Sequence, residues 1–554
     1  MKKYLFSVLT FFLISAMLSG NSIVAATGPG EVSIEFAISK RYLNLPVRPG
    51  APIKKVKLTI NEKVFDQFNI ELADSLPSFY VFIDLKKYIG EKAIISASDV
   101  PAGSKAFSFI SNDNLIKGAE NLYKEPLRQQ LHFSSRRGWN NDPNGLVFYK
   151  GEYHMYYQHN PYGSGWGNMH WGHAVSRDLV HWTELQETVY PVNENDAAFS
   201  GSAAVDFNNT TRFRKGNEDV IVAAYTSTGR GESIIYSNDA GRSFTEYEGN
   251  PVLSHPGRDP KIIWYNPGKY WIIAVYDETD KKRSVRLFTS ADLKKWDYQC
   301  QVDGLYECPE FFELKVEGTK TTRWVLYAAS GAYYTGSFDG KIFTPESALI
   351  PNNYGNCFYA SQTFSNIPEK DGRRIQIGWG TASTPQEPFN QCMLFPTKLT
   401  LRETANGIRM FTEPVEEIAL LHKKEWKREM ITINPGDNPI SNIKGELFHI
   451  KSDFTVGKNS QVGFMIHGTE VLYDASKGEL TCMDKKAELK PEGGKIYFEI
   501  IADRNTIEIF CNHGEVYMPI ACDLTKGYGL SLICRNEKVT AKKFQVFELK
   551  SIWK

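Results

Sequence analysis

Hydrophobic and polar positions alternate with a period of two along most of the chain. The alternation is clear near the N-terminal end, in residues 56–60, and returns near the C-terminal end, in residues 506–510. This period places successive side chains on opposite faces of a half-buried strand. A helical period appears only briefly, before the last β-rich region. The pattern therefore predicts an all-β protein.

A short turn sequence, Ser-x-Asp, recurs four times in the middle of the chain. The copies begin at Ser176, Ser237, Ser290 and Ser337. An aromatic β-run precedes each copy, and a fifth run has no clear copy after it. These runs are residues 153–158, 220–226, 270–276, 324–329 and 375–379. Units of a few strands that end in a turn are typical of propeller blades, and five runs favour five blades. Coincidental turns in a β-sandwich are the alternative.

These patterns divide the chain into six regions. They are a signal peptide (1–26), an N-terminal β-rich accessory domain (27–111), a linker (112–130), a five-bladed β-propeller (131–412), a short helical linker (413–427) and a C-terminal β-sandwich (428–554). In the helical linker, Ile418, Leu420 and Leu421 are predicted to form a buried stripe. The expected fold is an all-β propeller and sandwich with a small extra domain in front.

The first 26 residues have the features of an export signal. Lys2 and Lys3 precede an apolar run of 15 residues, and small residues at 24–26 predict cleavage after Ala26. The run is too short to span a bilayer comfortably, although an uncleaved anchor is the alternative. We therefore expect an exported protein, periplasmic or secreted, without a transmembrane segment.

Charge, cysteine and histidine usage exclude several classes of function. Lys and Arg number 64, as do Asp and Glu, so the clustered basic excess of a nucleic-acid-binding protein is not expected. The eight cysteines include no CxxC pair, and scattered buried thiols are the preferred interpretation. Six of the eleven histidines lie between His132 and His181 without an HExxH motif. We therefore expect neither a metal nor another cofactor.

Three polar segments, each containing a proline, are the candidates for chemistry. They are Trp139-Asn-Asn-Asp142-Pro-Asn-Gly145, Arg258-Asp259-Pro260 and Glu307-Cys308-Pro309-Glu310, and each comes just before a predicted strand. A propeller gathers its inner strands around one axis, so carboxylates far apart in sequence can converge there. Any one of these segments alone is also a common turn sequence. Three of them, opening different blades, favour a catalytic pocket.

The same segments resemble the signature motifs of glycoside hydrolase family 32, the invertases, inulinases and levanases that cleave β-fructofuranosides. The resemblance covers residues 131–554. Further matching motifs are Tyr156-Tyr-Gln158-His-Asn-Pro161, Trp166-Gly-Asn-Met-His-Trp-Gly-His173, Phe199-Ser200-Gly201-Ser202 and Asp503-Arg-Asn-Thr-Ile-Glu-Ile-Phe510. The family's five-bladed propeller and β-sandwich agree with the fold predicted from the repeats. Residues 31–111 lie outside the resemblance.

The resemblance implies roles for individual residues. It makes Asp142 the nucleophile, Glu307 the general acid/base, and Asp259 the residue that holds fructose hydroxyls and stabilises the transition state. The implied substrate-binding residues are Trp139, Asn140, Asn141, Gln158, Trp166, Phe199, Ser200 and Arg258. Asn140 departs from the family, which often has an aliphatic residue or Met there. The segment at Trp379 matches only loosely, which leaves the acceptor side less defined.

The chemistry of fructoside cleavage fits these assignments. The leaving group departs through an oxocarbenium-like state, which an anionic Asp142 beneath the anomeric carbon can stabilise and bond to. Glu307 must give a proton to the leaving oxygen and later take one from water. In a retaining enzyme these two carboxyl groups should lie about 5–5.5 Å apart. Arg258 is expected either to pair with one of the carboxylates or to form a purely structural salt bridge.

We therefore predict an exported, retaining β-fructosidase that acts on fructans (levan or inulin), fructo-oligosaccharides and, as a further candidate, sucrose. Removal of single fructose units from chain ends is the favoured mode, and internal cleavage is its nearest rival. Three further functions compete with this prediction. They are fructosyl transfer to a sugar acceptor, cleavage of a pentosan by an inverting propeller enzyme, and sugar binding by a propeller without turnover. The presence of all three carboxylates argues against a propeller that only binds sugar. Linkage preference and oligomeric state stay open.

Overall fold

Almost all regular secondary structure in the molecule is β-strand. The computed structural model describes residues 23–28, 30–101, 104–525, 527 and 529–553. The helices in these ranges are short 3-10 turns: Lys86–Tyr88, Ala106–Phe109, Ala119–Asn121, Thr279–Lys281, Glu416–Leu421 and Asn512–Gly514. None of these described helices has the length and apolar character needed to cross a membrane. The all-β prediction is confirmed. Residues 1–22 of the predicted signal peptide lie outside the described residues.

The first of two compact units runs to Leu122 and also contains Asn160–Asn168. Its strands are β1 (Ile23–Gly28), β2 (Glu31–Ala37), β3 (Tyr42–Val47), β4 (Lys54–Ile60), β5 (Lys63–Ile70), β6 (Phe79–Asp84), β7 (Lys92–Ala97) and β8 (Ser111–Asp113). They form one sheet in the order β1-β2-β7-β4-β5 and another in the order β6-β3-β8. Tyr162, from the inserted segment, stacks on Phe68 with ring centroids 3.5 Å apart.

The second unit comprises Tyr123–His159 and Met169–Lys554, and five consecutive sheets form its first part. Their strands are β9 (Gly138–Tyr149), β10 (Glu152–Asn160), β11 (His170–Ser176), β12 (Trp182–Glu184), β13 (Ala198–Asp206), β14 (Val220–Ser227), β15 (Gly231–Ser237), β16 (Thr245–Glu246), β17 (Gly257–Tyr265), β18 (Tyr270–Asp277), β19 (Ser284–Ser290), β20 (Asp297–Asp303), β21 (Glu310–Lys315), β22 (Thr322–Tyr327), β23 (Tyr333–Phe338), β24 (Phe343–Pro345), β25 (Tyr359–Thr363), β26 (Arg374–Gly380), β27 (Phe389–Asn390), β28 (Cys392–Met393), β29 (Thr397–Thr404) and β30 (Gly407–Pro414). Each sheet is an antiparallel series in chain order. In addition, β27 pairs in parallel with β9, and β28 pairs with β26.

The first strands of these sheets form a closed ring. β13 lies against β9 and β17, β21 lies against β17, and β25 lies against β9. Between β21 and β25 the contact is a hydrogen bond from Thr363 to Glu310. A ring of inner strands with further strands outside each of them is a β-propeller, as the repeats predicted. The predicted aromatic runs lie on the second strands of the five sheets.

The C-terminal part of the second unit is a β-sandwich. Its strands are β31 (His422–Ile433), β32 (Phe448–Thr455), β33 (Gln461–Ile466), β34 (Thr469–Asp474), β35 (Glu479–Cys482), β36 (Lys485–Glu488), β37 (Lys495–Ala502), β38 (Thr506–Cys511), β39 (Val516–Ala521), β40 (Leu530–Arg535) and β41 (Val539–Leu549). The two sheets have the orders β31-β41-β32-β37-β38-β39 and β36-β35-β34-β33-β40. Ile450 and Phe498 from the first sheet share a buried cluster with Phe464 and Val471 from the second. The predicted propeller followed by a sandwich is confirmed.

The segment predicted as a helical linker is shorter and tighter than expected. The helical part of residues 413–427 is the 3-10 turn Glu416–Leu421, which lies between the end of β30 at Pro414 and the start of β31 at His422. A 3-10 helix has three residues per turn, so Ile418 and Leu421 share the buried face. Leu420 points away and is 53% exposed. The prediction that Leu420 is buried was wrong.

The polar stretch predicted as a linker is packed in its second half. Arg128 is fully buried, and its guanidinium forms a bidentate pair with Glu125. The same guanidinium lies 3.3 Å from the centroid of the Phe389 ring. The paired charge and the cation–π contact together compensate for the burial of the guanidinium. Residues from Tyr123 onward therefore belong to the packed second unit.

A buried histidine joins the propeller to the sandwich. His132 Nδ1 lies 2.8 Å from Asp503 Oδ2, and its Nε2 lies 2.7 Å from Glu508 Oε1. The hydroxyl of Tyr517 donates to the other oxygen of Glu508. Burial alone would lower the pKa of His132, but the hydrogen bonds to the two carboxylates outweigh burial and raise it to about 9. His132 is therefore a charged bridge between the two domains at neutral pH.

The bridge predicts a pH-dependent contribution to stability. The folded-state pKa of about 9 exceeds the ordinary value of 6.5, so the contribution is complete below the lower value and is lost as the pH rises through the higher one. His132→Gln should lower the free energy of unfolding by about 3 kcal/mol at pH 6, and this gap between wild type and variant should be smaller at pH 10. Denaturant titrations measure this gap, with the half-exposed His181→Gln as the control. A constant gap would contradict the charged bridge.

Candidate active site

Three carboxylates lie close together at the inner strands of three sheets, and two of them contact one buried sulfur. Asp142 lies on β9, Asp259 lies on β17, and Glu307 comes three residues before β21. The thiol of Cys308 lies 3.6 Å from Asp142 Oδ2 and 3.5 Å from Asp259 Oδ2. The structure therefore brings the three proline-containing segments together.

Asp142 receives hydrogen bonds on both of its carboxylate oxygens. Asn141 Nδ2 donates to Oδ1 at 2.9 Å, and Ser200 Oγ donates to Oδ2 at 2.5 Å. Trp139 Nε1 donates to Asn141 Oδ1 at 2.9 Å and so orients the amide. Burial raises the pKa of Asp142, while the hydrogen bonds oppose this rise. Three of the residues predicted as substrate contacts therefore hold the predicted nucleophile in place.

Asp259 is buried beside the other two acids. Its Oδ2 accepts a hydrogen bond from the backbone N–H of Cys308 at 3.1 Å. Burial and the negative charge of Asp142 raise the pKa of Asp259 to about 7, and the N–H of Cys308 and the charge of Arg258 offset only part of the rise. Carboxyl groups with a raised proton affinity, clustered in one pocket, are typical of catalytic sites.

Two side chains position Glu307, one on each oxygen. The guanidinium of Arg258 donates to Oε1 through both Nε, at 3.1 Å, and a terminal nitrogen. The hydroxyl of Tyr359 donates to Oε2 at 2.6 Å. The ring of Tyr276 packs on Arg258, with the guanidinium carbon 5.0 Å from the ring centroid. Of the two arrangements expected for Arg258, the structure thus shows a pair with the predicted acid/base.

Two residues of this site were not among the functional residues predicted from the sequence. Cys308 directly follows Glu307, so its place in the proline-containing segment was an available signal. Tyr359 lies on β25 in a segment without a neighbouring proline or acidic residue, and no local pattern distinguishes it from other tyrosines. Its ring meets Trp379 edge-on at 6.0 Å, and Trp379 meets Trp139 in the same way at 6.0 Å. These three rings form a continuous aromatic row at the site.

Comparison with known proteins decides the family. Residues 132–414 match the family model described as "Glycosyl hydrolases family 32 N-terminal domain", and residues 417–546 match "Glycosyl hydrolases family 32 C terminal". The chain belongs to glycosyl hydrolase family 32. The resemblance found in the sequence motifs is confirmed, and the protein is a glycoside hydrolase.

Individual relatives show the extent of the similarity. A levanase from Bacillus subtilis (strain 168) is 36% identical over 491 residues, covering 78% of this chain and 72% of the relative. An extracellular exo-inulinase from Aspergillus ficuum is 29% identical over 482 residues, covering 71% of this chain and 89% of the relative. Among solved structures, a fructofuranosidase variant from Schwanniomyces occidentalis complexed with fructosylnystose has a TM-score of 0.69 and 27% identity. This alignment covers 77% of this chain and 99% of that chain.

The other residues predicted to contact the substrate of the family 32 glycosidase differ in burial. Gln158 is buried and donates to a backbone carbonyl of β13 at 2.9 Å. Asn140 is fully buried, and its Oδ1 accepts a backbone N–H at 3.4 Å. Phe199 is half-buried, whereas Trp166 is 61% exposed and belongs to the segment Asn160–Asn168 of the first unit. Their role as substrate contacts stays a prediction.

A cavity of about 310 Å³ opens beside Arg258 in the glycosidase. Its lining combines hydroxyl groups, glycines and two guanidinium groups, contributed by Phe199, residues 226–231, Ser254, His255, Gly257 and Arg258. The ring of His255 is held between Glu232, 3.1 Å from Nε2, and Asp277, 3.0 Å from Nδ1. This wall of the cavity is therefore firmly fixed before any ligand binds.

The described part of the glycosidase contains free thiols and no metal-ligand cluster. Within those residues, no group of three or more His, Cys, Asp or Glu side chains could hold a metal ion. All eight cysteines are free, and six of them are buried. Burial and the neighbouring carboxylates raise the pKa of Cys308 well above its ordinary value. Its thiol is therefore protonated and suited to contact rather than to nucleophilic attack.

The raised pKa of Asp259 predicts that this residue destabilises the folded glycosidase at neutral pH. Between the ordinary value of 3.8 and about 7, the folded state holds a proton that the unfolded state has released, so stability falls as the pH rises. Asp259→Asn should therefore match wild type at pH 4 and exceed it by on the order of 1 kcal/mol at pH 8. Thermal unfolding across this range measures the difference.

Asp239→Asn is the control of opposite sign. Hydrogen bonds from Ser237 and Ser243 outweigh burial and lower the pKa of Asp239. Its charge therefore stabilises the folded state above the ordinary pKa, and Asp239→Asn should lose stability at pH 8. If Asp259→Asn were also less stable than wild type at pH 8, the inference that ionised Asp259 destabilises the folded state would be wrong.

Proposed function

We propose that this glycosidase hydrolyses β-fructofuranosidic bonds in fructans, levan or inulin, and in fructo-oligosaccharides, with sucrose as a further substrate. The proposal rests on the meeting of Asp142 and Asp259 at Cys308, with Glu307 fixed beside them by two side chains. The relatives named as a levanase and an exo-inulinase support this class of substrate. The three carboxyl groups can supply the nucleophile, the proton and the stabilising charge, so the proposed reaction uses no cofactor.

In the first proposed step, Asp142 attacks the anomeric carbon C2 while Glu307 donates its proton to the leaving oxygen. The bond from C2 to that oxygen breaks, a bond from C2 to the Asp142 carboxylate forms, and the alcohol leaves. Positive charge develops on the fructose ring on the way, and ionised Asp142 stabilises it. Because Asn141 and Ser200 already hold both oxygens of Asp142, little reorganisation accompanies the attack.

In the second proposed step, Glu307 takes a proton from water, and the water oxygen attacks C2 and releases Asp142. Two displacements at the same carbon retain its configuration, which requires Asp142 and Glu307 to lie about 5–5.5 Å apart. Arg258 and Tyr359 hold the two oxygens of Glu307 and so preserve its orientation through both proton transfers. Asp259 is proposed to accept hydrogen bonds from fructose hydroxyls and to add negative charge near the transition state.

The cavity beside Arg258 is proposed to take the sugar on the leaving-group side. Arg258 is bound to Glu307, which protonates the leaving oxygen, so this side of the site faces the departing sugar. Hydroxyl and guanidinium donors suit the oxygens of a neutral sugar. Removal of terminal fructose from a chain is the favoured mode, and internal cleavage is its rival. The proposed contacts in the second unit are Trp139, Asn140, Asn141, Gln158, Phe199, Ser200 and Arg258, and Trp166 stays a prediction from the sequence.

We further propose that the enzyme is exported to the periplasm or the medium. The charged start, apolar run and small residues within positions 1–26 support this location. The extracellular exo-inulinase among its relatives supports it as well.

Asp142→Asn should slow fructose release by about 10⁴-fold or more while preserving the fold and sugar binding, because it removes the nucleophilic charge at almost constant volume. The mature protein and the variant are incubated with levan, inulin and sucrose, and the products are resolved by chromatography. Wild type should release fructose alone from levan and inulin from the start, and equal amounts of fructose and glucose from sucrose. The control Asp178→Asn, in a blade turn, should behave as wild type. A series of oligosaccharide products would show internal cleavage. Absence of wild-type activity on all three substrates would refute the proposal.

Glu307→Gln should affect substrates according to their leaving groups. A natural fructan needs protonation of its leaving oxygen, so kcat/KM should fall by about 10²–10⁴-fold. An activated aryl β-fructofuranoside has a leaving group that needs little protonation, so its kcat/KM should fall far less. Steady-state kinetics on both substrates give the comparison. Equal losses would argue against Glu307 as the proton donor.

A further inference from the structure

The groups of the active site stand on strands of different sheets. Asp259 is on β17, Glu307 precedes β21, and Tyr359 is on β25, and among the described strands these three belong to separate sheets. Backbone hydrogen bonds mainly join strands within a sheet, and near the site they also link β25 to the sheet of β21, where the N–H of Ala360 donates to the carbonyl of Ala329 at 2.8 Å. The spacing of these side chains depends in addition on side-chain contacts between the inner strands.

The backbone at these residues has an unfavourable conformation, so it too depends on the contacts that surround it. Asp259, Glu307, Cys308 and Ala360 all have φ values between 43° and 65°. This left-handed conformation costs residues other than glycine roughly 1–2 kcal/mol each, and it persists where the surrounding structure imposes it. Contacts close to these residues must therefore hold the three strands in place.

A buried ion pair lies at that position. Lys261 comes two residues after Asp259, Glu310 comes three residues after Glu307, and Lys261 Nζ lies 2.8 Å from Glu310 Oε1. Nζ also donates to the backbone carbonyl of Thr363 at 3.1 Å. Glu310 Oε2 accepts the N–H of Thr363 at 3.1 Å and its hydroxyl at 2.5 Å. One cation, one carboxylate and one threonine thus join β17, β21 and β25.

We propose that Lys261, Glu310 and Thr363 form an axial clamp that sets the spacing of Asp259 and Glu307 in the active site. All three clamp side chains are almost completely buried. A buried ion pair usually adds little net stability compared with apolar residues of the same shape. Its directional contacts do specify one arrangement of the three strands. The clamp residues are therefore positioning residues, and this inference rests on the proposed hydrolysis of fructosides.

Thr363→Val tests the clamp with the smallest change in volume. Valine lacks the hydroxyl that donates a hydrogen bond to Glu310 Oε2, so the carboxylate loses its shortest hydrogen bond with β25. We expect kcat on an aryl fructoside and on a fructo-oligosaccharide to fall about tenfold. KM should change far less than kcat, because the distance between reacting groups affects the transition state more than the binding of the sugar. Thr363→Ser keeps the hydroxyl and should restore the wild-type kcat.

Thr412→Val is the matched control. Thr412 is also fully buried, lies in the same sheet as Thr363, and hydrogen-bonds Asn352 away from the three acids. Its loss should lower Tm without changing kcat. The comparison separates a general loss of packing from a displacement of the catalytic groups.

A second test removes the ion pair itself. The double variant Lys261→Met, Glu310→Gln removes both charges of the pair, although Arg374 then loses the attraction of Glu310. It should therefore lose less in Tm than Lys261→Met alone and still lose about tenfold in kcat. Lys261→Met alone should lose both kcat and Tm. Assays are made at a temperature where circular dichroism shows each variant to be fully folded.

Wild-type kcat in the folded Thr363→Val and double variants would overturn the clamp and leave the proposed function standing. An equal fall of kcat in Thr412→Val would also overturn it, because any buried threonine would then have the same effect. Inactivity of wild type on every fructoside would instead overturn the proposed function, and the clamp inference with it.

Discussion

The concentration of negative charge at the propeller axis is the constraint on which the active site depends. Asp142 and Asp259 meet at the thiol of Cys308, and burial together with the negative charge of Asp142 raises the free energy of ionising Asp259. The structure offsets this cost with a separate set of donors for each acid. These donors are Asn141 and Ser200 on Asp142, the backbone N–H of Cys308 on Asp259, and Arg258 with Tyr359 on Glu307. Because their partners differ, three chemically similar groups can take different roles.

Buried basic side chains paired with carboxylates recur through the second unit. His132, at the propeller–sandwich junction, and His255, in the cavity wall, each lie between two carboxylates. Arg128, in the segment predicted as a linker, and Lys261, at the axis, each pair with one. Such pairs have directional contacts, whereas apolar packing tolerates small displacements. In a protein whose reacting groups come from separate sheets, directional contacts preserve the distances that catalysis requires.

Membership of glycosyl hydrolase family 32 and the geometry of the site support the same chemistry from independent observations. The family models cover the propeller and the sandwich. The geometry adds which donor holds which carboxylate and shows a cavity beside Arg258. Arg258 links the two, because it binds Glu307 on one side and lines the cavity on the other.

The sequence by itself determined the all-β class, the repeated blades and the three acid segments, because two-residue periodicity and proline-containing turns are local signals. It missed the exposed Leu420, since a 3-10 turn and a helix share the same short apolar pattern. Only the tertiary structure decided that Tyr359 binds Glu307 and that Thr363 meets Lys261. Those contacts arise when the ring of sheets closes, and the distance between residues of different sheets has no counterpart in local sequence.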